Sequence, residues 1–382
     1  MANLRKYYLE KSEIKYLMHI YFNTNFNSKF FIVSKLKYLI LVITVVVISC
    51  SKKDSMPTGG GGTTPVVIAA PPAFGFYVVG YFPSYRDPSL VPDVKFRMCN
   101  VVCYAFANIN SSGGLTVASP SVFTTVRNKA KNNGAKVFIS LAGLSTDWKN
   151  MAAGSLNRTN FIKEVMNVVR TYNIDGVDVD WEFPSTSDGT DVTYTALMKE
   201  LSDSCHAGSK YYLTAAITAG KYAGGYRDAI KSELWTGNYV DFFNIMAYDD
   251  FNTTVPYKQH SDLNLAQTCL NYWVTTRGMP AGKAVLGIPA YGRPSGITQT
   301  GTILTYSGIL SQSGSSQSDS AVVSAGGFTN YTIYYNGQPT AKKKAMLSKN
   351  MANGIMMWEK GQDAHDGNSL LKAVCDTIGR TY

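Results

Sequence analysis

The sequence predicts an α/β protein folded as a (β/α)8 barrel, a TIM barrel, with a small insertion between strands 7 and 8. Eight short apolar runs recur between residues 74 and 382. Several of them contain a continuous apolar stretch, as strands buried on both faces do. The segments between the runs carry apolar residues at helical spacing. A regular alternation of strands and helices over this length predicts a closed parallel barrel.

Each predicted strand is a run of ordinary length for a barrel strand. No run is followed by a Gly-rich phosphate-binding loop, which argues against the alternative, a doubly wound open sheet. The connection after Arg293 is the longest, and its Ser- and Gly-rich stretch at 311–320 predicts a small antiparallel insertion on the barrel rim. The predicted strands cover residues 76–81, 98–107, 136–143, 176–183, 211–218, 240–248, 283–291 and 354–359.

Three of the connecting segments show apolar residues that recur every three to four positions, the spacing of a helix. The second is followed by Gly208, and the third by Gly278 and Pro280, residue types that end helices. We assign these apolar stripes to the core. They are formed by Phe161, Val165, Val168 and Tyr172, by Tyr194, Leu197, Leu201 and Cys205, and by Leu265, Cys269 and Tyr272.

The stretch Asp175-Gly176-Val177-Asp178-Val179-Asp180-Trp181-Glu182 carries the most information about function. Side chains alternate along a strand, so Asp178, Asp180 and Glu182 are expected on one face, toward the barrel interior. Carboxylates buried there are costly unless they have a chemical role. The alternative, a solvated acidic strand or a calcium loop, is opposed by the hydrophobic spacers. Active sites of such barrels lie at the carboxyl ends of the strands, which places Glu182 nearest to a substrate.

This stretch resembles the signature of family 18 of the glycoside hydrolases, the chitinase-like (β/α)8 enzymes. Other stretches resemble motifs of the same family in the same order, and the resemblance covers about residues 75–380. The chain departs from the family pattern at Ala142, where glycine is usual, and at Phe183, where tyrosine is common. The other matching stretches are Tyr-Ala-Phe-Ala (104–107), Ser-Leu-Ala-Gly (140–143), Met-Ala-Tyr-Asp (246–249), 287–293 and 354–358.

The resemblance implies a retaining, substrate-assisted cleavage of β-1,4-linked N-acetylglucosamine polymers, chitin or chitooligosaccharides. Glu182 is then the expected general acid, and Tyr248 is expected to donate a hydrogen bond to the acetamide oxygen of the sugar. Asp180 is expected to orient the acetamide N–H. Asp178 is expected to share a proton or hydrogen bond with Asp180. The residues expected to bind substrate are Trp358, Tyr81, Phe106, Met246, Asp249, Tyr291 and Arg293.

Two other functions stay open at the level of the sequence. An endo-β-N-acetylglucosaminidase that trims N-glycans would use the same carboxylates, although Trp181, Trp358 and the Tyr-Gly-Arg stretch at 291–293 favour a chitinase-like cleft. A non-catalytic sugar-binding protein on the same barrel typically lacks the acid, which is present here at Glu182. We expect a monomeric enzyme that acts on an N-acetylglucosamine oligosaccharide.

The formal net charge of +10 does not indicate a nucleic-acid partner, because of where the charge lies. Most of the excess of Lys and Arg over Asp and Glu falls within residues 1–53, and the rest of the chain is nearly balanced. The apolar run from Tyr38 to Ile48 follows Lys35 and Lys37 and is short for a membrane span. This pattern is typical of a secretory signal.

The end of that run, Val47-Ile48-Ser49-Cys50, resembles the lipobox of bacterial lipoproteins, in which the cysteine is lipidated. A plain signal or a short membrane anchor is the alternative. The Gly-, Thr- and Pro-rich segment that follows is typical of a flexible tether. We predict a signal segment at 1–49, a linker at 50–73 and a catalytic domain at 74–382. We expect the protein to lie in the bacterial cell envelope, anchored to the membrane through Cys50 on its periplasmic or outer side. Secretion outside the cell is the alternative.

No metal site and no cofactor are predicted. No pair of cysteines has the spacing of zinc ligands. Cys99 and Cys103 lie four positions apart in a predicted strand, which separates their Cα atoms by roughly 13 Å, beyond the limit of about 7 Å for a disulfide. We therefore expect mostly buried free thiols. The four histidines are scattered along the chain: His19, His206, His260 and His365.

Overall fold

The computed structural model describes residues 68–297 and 300–382, and in that part of the chain eight parallel strands close into a barrel. Strand β1 (Tyr77–Pro83) pairs in parallel with both β2 (Val101–Ile109) and β13 (Gly354–Trp358), which closes the sheet. The fold class predicted from the sequence is confirmed. The other barrel strands are β4 (Lys136–Ala142), β5 (Gly176–Val179), β6 (Tyr212–Thr218), β7 (Phe242–Met246) and β8 (Ala284–Pro289).

Helices fill the connections between the barrel strands. The three predicted apolar stripes lie on α4 (Ser155–Thr171), on α5 (Thr190–Cys205) and on α8 (Leu263–Leu270) with the π-helical turn that continues it (Asn271–Thr276). Their apolar side chains are buried or packed against the core. The other helices are α1 (Asp93–Arg97), α2 (Pro120–Asn132), α3 (Ser145–Ala153), α6 (Gly225–Asp228), α7 (Glu233–Thr236), α9 (Tyr306–Leu310), α10 (Gln338–Met351) and α11 (Leu370–Ile378).

The predicted insertion between the last two barrel strands contains an antiparallel sheet with the strand order β10-β9-β12-β11. One residue, Ala290, separates the end of β8 from the start of β9. Tyr291 therefore belongs to the insertion, together with Arg293, and not to the barrel strand predicted at 283–291. A further short strand, β3 (Leu115–Val117), pairs with the end of β2. The insertion strands are β9 (Tyr291–Pro294), β10 (Leu304–Thr305), β11 (Ser320–Ala325) and β12 (Phe328–Tyr334).

The interior of the barrel is filled largely by apolar side chains. Tyr77, Val79 and Tyr81 alternate along β1 and pack with Phe138 of β4 and Phe242 of β7. Side chains alternate between the two faces of each barrel strand. On β1 the odd-numbered side chains therefore lie inside the barrel and the even-numbered ones against the helices. A group of polar side chains interrupts this apolar filling. Its members are Ser140, Asp178, Thr214 and Asn244, which are all fully buried.

The predicted signal segment and the lipobox at Cys50 lie outside the described residues. The described chain begins at Ile68, which forms a β-bridge with Ala207. The carbonyl of Pro72 accepts a hydrogen bond from the Tyr212 hydroxyl at 2.8 Å, so the last residues of the predicted linker contact the barrel. Within residues 68–297 and 300–382, no helix combines the length and the apolar character needed to cross a membrane.

Five cysteines fall within the described ranges, and all five are buried free thiols. Burial raises the pKa of Cys269 and of Cys375 to about 12. A thiol with such a pKa stays protonated near neutral pH and is a poor nucleophile. These side chains therefore serve packing. They are Cys99, Cys103, Cys205, Cys269 and Cys375.

Candidate active site

Strand β5 leads into the acidic motif, but it is shorter than the strand predicted at 176–183. Its pairing with β4 and β6 ends at Val179. One further backbone hydrogen bond, from Asp180 N to Leu141 O at 2.9 Å, fixes the first residue beyond it. Asp180 and Glu182 therefore lie past the carboxyl end of the strand and not within the barrel wall. The predicted bounds were wrong because the pairing of this strand with β4 and β6 stops at Val179.

Trp181 anchors the loop that carries these two carboxylates. Its ring stacks on Trp148 of α3 with 5.2 Å between ring centroids and 8° between planes, and both rings are buried. Tyr194 of α5 contacts the Trp181 ring edge-on at 5.8 Å. Because Trp181 is held in the helix layer, its neighbours Asp180 and Glu182 are directed to the opposite side, toward the mouth of the barrel.

Asp178 lies inside the barrel, and its carboxylate accepts four hydrogen bonds. Oδ2 accepts from Tyr81 OH (2.7 Å) and Ser140 Oγ (2.8 Å). Oδ1 accepts from Thr214 Oγ1 (2.7 Å) and Asn244 Nδ2 (3.3 Å). Ser140 and Thr214 are the direct cross-strand neighbours of Asp178 on β4 and β6, so the parallel register brings these donors to the carboxylate.

Burial and hydrogen bonding act in opposite directions on the pKa of Asp178. Burial raises the pKa of the Asp178 carboxyl, and the hydrogen bonds from Thr214, Tyr81 and Ser140 oppose that rise without cancelling it. Burial and the charge of Asp178 raise the pKa of Tyr81 well above its ordinary value, with a further contribution from Asp180. The Tyr81 hydroxyl therefore stays protonated and remains a hydrogen-bond donor. Asp178 and Asp180 both act on it.

Tyr248 follows β7 and faces the two carboxylates of the loop. Burial raises the pKa of Tyr248 well above its ordinary value, and Tyr291, Asp180, Asp249 and Glu182 all act in the same direction. The hydroxyl therefore stays protonated and can donate a hydrogen bond. Asp180 is 7% exposed, and Glu182 and Tyr248 are half-buried. The two carboxylates thus lie close enough to Tyr248 to act on it electrostatically, where the barrel interior opens to solvent.

An aromatic surface lies beside them at the carboxyl ends of β1, β2 and β13. Trp358 is half-buried and stacks on Phe106, with 5.8 Å between centroids and 24° between planes. The Tyr81 ring lies 5.5 Å from Trp358 on another side. Phe106, Met246, Tyr248 and Trp358 all pack on the apolar cluster inside the barrel. The predicted apolar substrate contacts are thereby brought together.

Asp249, Tyr291 and Arg293 form a separate polar cluster on the side of the insertion. Arg293 binds the Asp249 carboxylate through two hydrogen bonds, Nε to Oδ1 (2.5 Å) and Nη2 to Oδ2 (3.0 Å). Tyr291 OH also donates to Oδ1, at 2.5 Å. Although burial alone would raise the pKa of Asp249, Arg293 holds it well below its usual range. The Tyr291 ring packs edge-on against Tyr248 at 6.4 Å, so this cluster supports the tyrosine at the site.

Sequence reasoning assigned no role to Thr214 and Asn244, and quoted Ser140 only as part of a motif. A usable signal was present for all three. They are polar residues in otherwise apolar strands, and each falls on the inward-facing phase of its strand. Asn244 precedes Met246 by two positions, which places both on the same face of β7.

Comparison with known proteins agrees with the barrel fold. The family described as "Glycosyl hydrolases family 18" matches residues 77–363. The chain belongs to this family. Among curated family 18 relatives, Chitotriosidase-1 of Mus musculus is 29% identical over 247 residues, which are 56% of this chain and 50% of that protein. The chain spans about half the length of the curated relatives it matches.

This chain aligns with almost the whole length of two solved GH18 chitinases. The GH18 chitinase ChiB from the chitin utilization locus of Flavobacterium johnsoniae has a TM-score of 0.64 and 29% identity, over 80% of this chain and 94% of that one. The GH18 chitinase of Cycas revoluta in complex with (GlcNAc)3 has a TM-score of 0.68 and 22% identity, over 79% of this chain and 100% of that one. At that identity the second likeness shows the fold.

Proposed function

We propose that this protein hydrolyses β-1,4-linked N-acetylglucosamine polymers, chitin or chitooligosaccharides, with Glu182 as the general acid. The observation that carries the proposal is the meeting of Asp180, Glu182 and Tyr248 at the carboxyl end of the barrel, above the buried Asp178. That end is where barrel enzymes of this architecture place their active sites. The likeness to chitinases, one of them solved with (GlcNAc)3, supports N-acetylglucosamine as the sugar.

In the first step the Glu182 carboxyl gives its proton to the glycosidic oxygen while the bond from that oxygen to C1 breaks. The carbonyl oxygen of the sugar's own 2-acetamido group forms the new bond to C1, which gives an oxazolinium ion. Since this nucleophile is already part of the bound substrate, its placement supplies roughly 7–11 kcal/mol of barrier lowering. No second carboxylate is needed as a nucleophile, which is the stated exception among retaining glycosidases.

Asp180 and Tyr248 hold the acetamido group for this attack. Asp180 accepts a hydrogen bond from the acetamide N–H, and its negative charge balances the positive charge that develops on the ring. Tyr248 donates a hydrogen bond to the acetamide oxygen, which requires the protonated hydroxyl that its raised pKa provides. Asp178 shares a proton or hydrogen bond with Asp180, consistent with its own raised pKa. Trp358 forms the apolar floor beneath the sugar.

In the second step water attacks C1 from the face opposite to the acetamide oxygen. The Glu182 carboxylate takes a proton from this water, and the bond between C1 and the acetamide oxygen breaks. The 2-acetamido group is restored, and Glu182 again carries the proton that it gave in the first step. Two inversions at C1 leave the product with the configuration of the substrate, so the enzyme is retaining.

The test is hydrolysis of an N-acetylglucosamine tetramer by the Glu182→Gln variant. We expect a rate lower by about 10²–10⁴-fold, with circular dichroism and thermal stability unchanged. Glu164→Gln is the matched control, because Glu164 is exposed on α4 away from the site. Near-wild-type hydrolysis by Glu182→Gln overturns the assignment of the acid.

Substrate comparison separates the alternatives. A glucose tetramer lacks the acetamide and should not be cut; its hydrolysis at a comparable rate refutes substrate assistance. Release of N-glycans from a high-mannose glycoprotein, without cleavage of the N-acetylglucosamine tetramer, identifies an endo-β-N-acetylglucosaminidase instead. Binding of the tetramer without turnover identifies a non-catalytic sugar-binding protein.

We also propose that Cys50 carries the lipid that anchors this protein to a membrane, on the basis of the lipobox-like sequence Val47-Ile48-Ser49-Cys50. The full chain produced in a bacterium fed radiolabelled palmitate should incorporate label and partition into detergent. Cys50→Ser should abolish both. Unlabelled wild-type protein in the aqueous phase rules the anchor out and leaves the proposed catalytic function untouched.

A further inference from the structure

Lys344 is a buried lysine whose charge has no acidic partner among the described residues. It lies on α10, outside the barrel, and its side chain is fully buried. Its ammonium donates to Ser261 O (2.6 Å), Ser261 Oγ (2.8 Å) and Asn336 Oδ1 (2.7 Å). An ammonium group has three N–H donors. All three are therefore used, and two of them go to one residue, Ser261.

Ser261 and its neighbour His260 form a brace, the name we use for these two residues, along the segment that contains Tyr248. Ser261 Oγ donates to the carbonyl of Ala247 at 2.7 Å. Asp249 N donates to His260 Nδ1 (3.3 Å), and Asp250 N donates to the His260 carbonyl (2.9 Å). The brace thus binds the backbone on both sides of Tyr248.

Lys344 determines the direction in which the Ser261 hydroxyl points. The hydroxyl oxygen accepts a hydrogen bond from Lys344, so its own hydrogen is directed away from the ammonium and toward the Ala247 carbonyl. The Ser261 carbonyl accepts from Lys344 and from Asn336 Nδ2 (2.7 Å), which holds the residue from its other side. Without Lys344 the hydroxyl loses the donor that orients it.

We propose that Lys344 is a positioning residue for Tyr248, acting through the brace. Burying a cation without a carboxylate is unfavourable, and an apolar side chain of similar length would fill the same space without that penalty. The amino group of Lys344 holds Ser261 through two hydrogen bonds, and Ser261 holds Ala247, the residue next to Tyr248. This inference rests on the proposed function, in which the Tyr248 hydroxyl must meet the acetamide oxygen.

The test is a double-mutant cycle on hydrolysis of the N-acetylglucosamine tetramer with Lys344→Met and Tyr248→Phe. A misplacement of about 1 Å in an active site lowers a rate on the order of a hundredfold. We therefore expect Lys344→Met to lower kcat by about ten- to a hundredfold, with little change in KM. In the Tyr248→Phe background the same substitution should cause no further loss. Lys343→Met, at an exposed position on the same helix, is the control and should match the wild type.

Each outcome of the cycle decides between explanations. Equal losses of kcat in both backgrounds show a general structural role for Lys344 and overturn the inference, as does a wild-type kcat for Lys344→Met. An unchanged rate for Tyr248→Phe alone contradicts the proposed function instead. If Lys344→Met does not fold, Ser261→Ala takes its place in the cycle, because it removes the hydroxyl that links Lys344 to Ala247. A wild-type kcat for that variant overturns the inference as well.

Discussion

Tyr81 and Asp178 are joined by a hydrogen bond of 2.7 Å across the inside of the barrel, from β1 to β5. Tyr81→Phe removes this donor and keeps the ring that packs on Trp358. Because the carboxylate is buried and keeps three other donors, we expect the free energy of unfolding to fall by about 1–3 kcal/mol. Urea denaturation measures this change, and an unchanged midpoint would show that the bond contributes nothing to stability.

The stacked pair Trp148–Trp181 couples α3 to the loop that carries Asp180 and Glu182. Trp148→Ala should lower the free energy of unfolding by about 3–5 kcal/mol, the usual range for a buried tryptophan. It should also lower kcat, because Trp181 then no longer holds Asp180 and Glu182 in place. Trp148→Phe keeps an aromatic partner for Trp181. It should therefore retain most of the wild-type stability and most of the wild-type kcat.

Trp235→Ala provides a matched control for the prediction on Trp148→Ala. Trp235 is also buried, and it packs edge-on against Phe243 and Trp273, away from the acidic loop. This substitution should lower stability with little effect on kcat. If Trp148→Ala and Trp235→Ala lower kcat equally, the stack has no particular connection to the site.

The ion pair between Arg293 and Asp249 should make the free energy of unfolding depend on pH in the acidic range. The pKa of Asp249 is held below its usual value in the folded chain, so the pair contributes stability above the unfolded pKa of about 4. That contribution is lost as the pH falls through the lower, folded pKa. Arg293→Met removes the cation, so its acid-unfolding midpoint should move to higher pH.

Fluorescence-monitored unfolding between pH 2 and pH 6 measures this shift. Asp249→Asn is the control, because its side chain cannot ionise. Adding Arg293→Met to Asp249→Asn should leave the acid midpoint where it is. A shift of the same size in both backgrounds would show that Asp249 is not the group responsible.

The buried Lys344 should make the free energy of unfolding depend on pH in the alkaline range. Burial lowers its pKa to about 7 from 10.5, although Asp262, Cys269 and Asp319 act to raise it. Below about pH 7 the folded and unfolded chains both carry the proton, and the penalty for the buried cation is constant. Between pH 7 and about 10.5 only the unfolded chain keeps it. The free energy of unfolding of the wild type should therefore rise with pH relative to that of Lys344→Met.

Denaturant unfolding at pH 6, 7, 8 and 9 for both proteins measures this difference. A difference that stays flat across the series would place the Lys344 pKa near its ordinary value. A difference that moves the other way would mean that the folded state stabilises the cation. Neither result would bear on which residues contact the substrate.

The elements that the sequence predicted well are those with a strong local signal. Buried parallel strands are continuous apolar runs, and the alternation of strands with apolar helical stripes is repeated often enough to predict the barrel. The strand that carries Asp178 was predicted too long, since the residues up to Phe183 keep the alternating pattern after pairing has stopped at Val179. Hydrogen-bond partners on β4 and β6 decide that boundary, and they are distant in sequence.

The sequence by itself predicted the candidate acidic groups Asp178, Asp180 and Glu182 and the candidate donor Tyr248, because these residues lie in short motifs with a recognisable spacing. Only the tertiary structure decided what surrounds them. The donors that hold Asp178 and the lysine that braces the Tyr248 segment come from separate elements, many positions apart along the chain. Local spacing says which way a side chain points, whereas closing the barrel and packing α10 against it determine what that side chain meets.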